Sequence, residues 1–173
     1  MLNIKRQYDQ VTVGAVCSDT QSAMYGSTYA LIFVGANTLA TDTCGMKSDK
    51  QFFNTLEENT SKRGSTGKFI SDSAQSEVSN RVEDVLCALF IDDWKSEPCF
   101  QHQNFAERRY QTTKRQARTL LDVTSSPACA WLLCITRVCF VLNTTCNETI
   151  NKLHMSAAAG STCSSSPLLR FNF

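Results

Sequence analysis

The sequence predicts an α/β fold, a mixed five-stranded sheet flanked by helices. Three strand-like runs open the chain, and helical and strand-like patterns then alternate, an order that builds one sheet with helices packed on it. The 173 residues are enough for one domain with a real core, and 42% apolar composition suits a globular protein.

Each element has a local reason. Val11 to Cys17 forms a first strand that delivers Asp19 at its end. Residues 28–35, with Tyr29, Leu31, Ile32, Phe33 and Val34, are apolar enough for a central strand. Residues 39–47 read as a weaker third strand. Phe52, Phe53 and Leu56 recur at helical spacing, so residues 49–62 are expected to be helical and to stop at Gly64. Lys68-Phe69-Ile70-Ser71 is an apolar run that ends on Asp72. Val78, Val82, Val85, Leu86 and Leu89 make the next amphipathic helix, and residues 90–94 a short fifth strand. Asn104 is placed to cap a helix running to about Leu121, with Glu107 at its third position, and Pro127 opens the last helix.

Charge and cysteine usage narrow the class. A formal net charge of +1 gives no global attraction to nucleic acid, so any basic surface must be local. Nine cysteines is an odd number, and the first residues lack the apolar core of a secretory signal, so a reduced, intracellular protein is expected. Residues 128–142 are apolar but too few to span a membrane, and they contain Arg137, so a buried helix is expected there. Two histidines and no Cys-x-x-Cys argue against structural zinc. Cys129, Cys134 and Cys139 recur every five residues, about 140° per step on a helix, and so read as small core residues, as do Trp94 and Trp131.

Three acids carry the chemical expectation. Asp72 and Glu107 have 34 residues between them, positions 73 to 106, and Asp19 and Asp72 have 52, positions 20 to 71. Acids at the ends of two strands and in the first turn of a helix suit a two-metal phosphoryl-transfer site, because hard divalent cations take a few carboxylates plus water and phosphate. Asp9 and Asp42 are weaker alternatives to Asp19. The helix after Glu107 carries Arg108, Arg109, Lys114, Arg115 and Arg118 with no acid until Asp122. Gln111, Lys114 and Arg118 share a stripe with Glu107, a pattern suited to holding DNA phosphates.

Two strings deepen this reading. Ser71-Asp72-Ser73-Ala74-Gln75 and Gln103-Asn104-Phe105-Ala106-Glu107-Arg108, the latter preceded by Ser96-Glu97-Pro98, resemble the signatures of retroelement integrase catalytic cores, particularly copia-type retrotransposon integrases. The resemblance covers roughly Val11 to Asn143, and Phe105 stands where the family commonly has glycine. It implies a ribonuclease-H-like fold, Asp19, Asp72 and Glu107 as catalytic and metal-binding acids, and two Mg²⁺ (or Mn²⁺) ions. It agrees with a DNA contact at Lys114, and Gln103, Asn104, Arg108, Arg115 and Arg118 are the other expected DNA contacts. His102, in the same loop, is a weaker candidate.

Also implied are 3′-end processing and strand transfer of element DNA, a homo-oligomer, no membrane association, and a nuclear or cytoplasmic-particle location. On this reading residues 1–10 are an N-terminal extension, 11–146 the catalytic core, and 147–173 a Ser-rich tail, decayed or truncated. The alternative expectation is a catalytically silent fragment that retains nucleic-acid binding.

Overall fold

The computed structural model of the protein describes residues 6–7, 9–71, 80–95 and 105–145. Its strands are β1 (Arg6–Gln7), β2 (Val11–Cys17), β3 (Tyr29–Gly35), β4 (Thr41–Met46), β5 (Ser65–Thr66), β6 (Lys68–Ser71) and β7 (Asp92–Lys95). Its helices are α1 (Phe52–Arg63), α2 (Asn80–Ala88), α3 (Phe105–Val123) and α4 (Trp131–Thr144). Short 3₁₀ turns lead into α1 and α4.

The five expected strands form one mixed sheet in the order β4-β3-β2-β6-β7. β2 to β4 are antiparallel neighbours, whereas β6 runs parallel to both β2 and β7. β3 explains the layering, because alternate residues of a strand point to opposite faces. Leu31 and Phe33 join Phe52, Leu56, Val82 and Leu86, so α1 and α2 cover one face. Ala30, Ile32 and Val34 join Ala106, Ala117, Trp131 and Ile135, so α3 and α4 cover the other. A strand buried on both faces reads as a continuous apolar run, which is why β3 was legible.

Several expectations need correcting. α4 is not buried all round: Trp131, Leu132, Cys134, Ile135, Val138 and Cys139 face the sheet, while Leu133, Arg137, Phe140 and Val141 face outward. Arg137 therefore meets water, with its guanidinium 5.5 Å from the Phe140 ring centroid. Trp94 is 40% exposed on the edge strand β7, where the Lys68 ammonium stacks on it at 4.2 Å. Within the stretch read as an extension, Arg6 and Gln7 pair with Ser65 and Thr66 in a separate parallel ribbon. Among the described residues no helix is long and apolar enough to cross a membrane, and Cys17, Cys44, Cys87, Cys129, Cys134 and Cys139 are free thiols.

Asp9 organises the β3–β4 turn. Its buried carboxylate accepts from the Asn37 and Thr38 amides at 2.9 and 3.0 Å and from the Thr38 hydroxyl. Gly35 leaves the space for it, since a Cβ there would lie 2.2 Å from Asp9 Oδ2. The Thr66 hydroxyl donates to the Asp9 carbonyl oxygen at 2.6 Å, tying the same residue to β5. Beside the same turn Asn143 pins α4 to β4: its Oδ1 accepts from the Thr41 amide at 2.8 Å and its Nδ2 donates to the Thr41 carbonyl at 2.7 Å.

Two stability predictions follow from these ties. Asp9→Ala orphans buried donors and is expected to cost about 1–3 kcal/mol in denaturant unfolding. Gly35→Ala, which expels the same carboxylate, is expected to cost a similar amount, and the double variant little more than either alone. Simple additivity would show that the two residues do not act through one turn. Asn143→Asp keeps the acceptor but sets a carboxylate against the Thr41 carbonyl. Burial raises such a carboxyl's pKa in the folded state, so its protonated form is favoured there. Relative to wild type, the loss in melting temperature should be largest at neutral pH and shrink as pH falls, when the carboxyl can donate again. A pH-independent difference would contradict this pairing.

Candidate nucleic-acid interface

α3 is built to lie close to the sheet at its start and to carry charge on its outside. Ala106 and Ala117 are buried against the sheet, with Thr113 between them and Tyr110, Leu120 and Leu121 packed alongside. At its first turn the helix lies close to β2, where a Cβ on Gly14 would meet the Ala106 Cβ at 3.4 Å. From there α3 follows β2 towards its carboxyl end, since Tyr110, Lys114 and Arg118 lie beside Cys17, Ser18 and Asp19.

Glu107 is exposed in the first turn of α3, where a carboxylate gains from the helix dipole. β6 ends at Ser71, the residue before Asp72. Asp72, His102, Gln103 and Asn104 lie outside the described residues. Asp19 is exposed in the bend after β2, in a turn held by Ser18, whose hydroxyl oxygen accepts from the Thr20 amide at 3.3 Å and donates to the Thr20 carbonyl at 3.1 Å.

Asp19 lines a groove that Glu107 does not line. Glu107 precedes Lys114 by seven residues, about 10 Å along the helix axis at 1.5 Å per residue, and it is Lys114 that Asp19 accompanies. Among the described residues no three His, Cys, Asp or Glu side chains are grouped closely enough to hold a metal ion. The two alternatives to Asp19 are both engaged elsewhere. Asp9 sits in its turn, and Asp42 accepts from Arg63 Nε and Nη2 at 2.7 and 2.6 Å. That carboxylate raises the Arg63 pKa above its ordinary value.

The cations of α3 divide into two groups. Arg108, Arg115 and Arg118 are exposed and Lys114 partly so, with Gln111 on the same outer side. Arg109 turns inward, a difference the linear charge run could not display. Its Nε donates to the Thr41 hydroxyl at 3.0 Å, and burial lowers its pKa from the usual guanidinium value.

Beside Asp19 lies a groove of about 370 Å³ between the end of β2, the second half of α3 and the start of α4. Its floor is apolar, with Val16, Ala117, Leu121 and Ile135, and its rim carries Asp19, Lys114 and Arg118. Tyr110 and Trp131 supply aromatic surface, with the Lys114 ammonium 5.6 Å from the Tyr110 ring centroid. Trp131 Nε1 donates to the Thr20 carbonyl at 2.9 Å, and the Ala23 amide to the Cys129 carbonyl at 2.8 Å, so the β2–β3 loop is tied to the start of α4. Burial raises the Tyr110 phenol above its ordinary pKa, with the Arg118 charge acting in the opposite direction. Sequence reasoning missed Tyr110 as a site residue, although it lies four positions before Lys114 and hence on a shared helical stripe.

No family model matches this chain, and no curated protein matches it. Among solved structures it is similar to a chain in the cryo-EM structure of the simian T-cell lymphotropic virus intasome in complex with the PP2A regulatory subunit B56 gamma. The TM-score is 0.69 at 8% sequence identity, over 94% of this chain and 56% of that chain. The protein thus spans little more than half the length of its structural relative. At that identity the likeness is one of fold.

Proposed function

We propose that the chain is an integrase-like core of the ribonuclease-H-like class, acting in DNA integration by metal-dependent polynucleotidyl transfer of the kind found in copia-type retroelements. One observation carries the reading. α3 begins with an exposed glutamate over the middle of β2, and the same outer stripe continues through Gln111, Lys114 and Arg118. The likeness to an intasome chain supports it at the level of fold.

In this reading Asp72 and Glu107 hold Mg²⁺ or Mn²⁺, most simply two ions, since carboxylates are the donors such cations prefer. The metal would supply charge neutralisation at the phosphate and an activated oxygen nucleophile. The cations of α3 hold the DNA: Lys114 and Arg118, helped by Arg108, Arg115, Gln103 and Asn104, grip phosphates and carry little sequence information. End processing and strand transfer of element DNA, homo-oligomeric assembly and a nuclear location belong to the same proposal.

A second reading is favoured by one feature of β2, which carries no acidic residue. Its flanking acids are Asp9, taken by the β3–β4 turn, and Asp19, which accompanies Lys114 and Arg118. On this reading no acid from mid-β2 completes a site with Glu107. The corresponding proposal is a catalytically silent core that keeps the DNA-binding helix.

Cutting and joining of a branched DNA in Mn²⁺, with wild type beside Glu107→Gln, separates the two. Product from wild type and none from the variant supports the catalytic reading, and no product from either folded protein supports the silent one. Duplex binding at several salt concentrations tests what they share. Replacing both Lys114 and Arg118 by Ala is expected to reduce the slope of log affinity against log salt by about two. An unchanged slope would remove α3 from the interface.

A further inference from the structure

The groove beside Asp19 has features that a phosphate-gripping helix does not require. Its volume of about 370 Å³ lies within the range of small-ligand pockets, about 300–1,000 Å³. Its floor is apolar and its two aromatic side chains, Tyr110 and Trp131, stand on neighbouring walls. The charged rim carries one acid and two bases, Asp19 against Lys114 and Arg118, leaving one net positive charge on the lining. The indole N–H is already spent on the Thr20 carbonyl, so Trp131 offers ring surface and no donor.

We propose that this groove binds one nucleoside monophosphate unit, with the base on the apolar floor against Tyr110, the phosphate between Lys114 and Arg118, and Asp19 accepting from an amino group of the base. Each part follows from ordinary chemistry. A planar base gains from contact with aromatic and aliphatic surface. A phosphate is held by charge-assisted hydrogen bonds from ammonium and guanidinium groups. An ionised carboxylate accepts only and so selects a donor on the base. The unit can be a free nucleotide or an unpaired nucleotide of a DNA strand. The strand source rests on the DNA reading above, and the groove itself does not.

The test uses the full chain with Trp94→Phe, so that fluorescence reports Trp131. The probes are dAMP, inorganic phosphate, a short single-stranded oligonucleotide and a blunt duplex. Cys17→Tyr, on an exposed strand end that tolerates an aromatic residue, narrows the groove without altering charge. Arg118→Ala removes one phosphate partner and leaves the groove open. Unchanged melting temperatures certify that both variants fold.

Expected is a saturable change with dAMP that inorganic phosphate does not reproduce. It should be lost in Cys17→Tyr and weakened about tenfold in Arg118→Ala, the size of one charge-assisted contact. Weaker binding of the single strand but not of the duplex by Cys17→Tyr assigns the strand as source, whereas equal oligonucleotide binding assigns the free nucleotide. A dAMP response in a protein that binds no duplex keeps the groove and removes the DNA reading. An equal response to phosphate, a dAMP response that survives in the folded Cys17→Tyr variant, or no saturable response to dAMP would overturn the proposal.

Discussion

The contact of Ala106 with Gly14 governs where every described candidate residue lies. Two small side chains let α3 settle onto β2 at its first turn, and the helix then follows the strand. Glu107, the next residue, is thereby exposed over mid-β2, while Lys114 and Arg118 arrive two and three turns later beside the end of that strand. The site is thus set by a packing constraint between two residues that carry no chemistry themselves.

Much of the fold was legible because its signals are local. β3 announces itself as an unbroken apolar run, and α1, α2 and α3 by apolar residues at helical spacing. The β1–β5 ribbon was not, because two residues per strand carry no periodicity and their pairing is set by the distant Asp9–Thr66 contact. Trp94 misled because hydrophobicity alone does not reveal that β7 is the sheet edge. The apolar run of residues 128–142 misled for a similar reason. An apolar helix packed on one face looks in sequence like one packed on all sides, and the single arginine was the one mark of the open side.

The candidate site was legible in part. The exposed stripe of Glu107, Gln111, Lys114 and Arg118 follows from helix geometry and stands as read. Asp19 illustrates the limit: a strand-end acid was identifiable, but its distance from Glu107 depends on where α3 crosses β2, which no local pattern encodes. Arg109 is the same lesson in reverse. One cation in a basic run is recruited to the Thr41 hydroxyl, where it braces α3 to β4 and faces no outside partner. Cations that look equivalent in sequence therefore divide into a bracing one and an outward-facing set.

The most direct test of the proposed metal site at the start of α3 is paramagnetic broadening by Mn²⁺ in the amide spectrum of the intact chain. Expected is saturable broadening centred on Glu107 and Ser71 and abolished by Glu107→Gln. Broadening centred on Asp19, or none that saturates, would contradict the account.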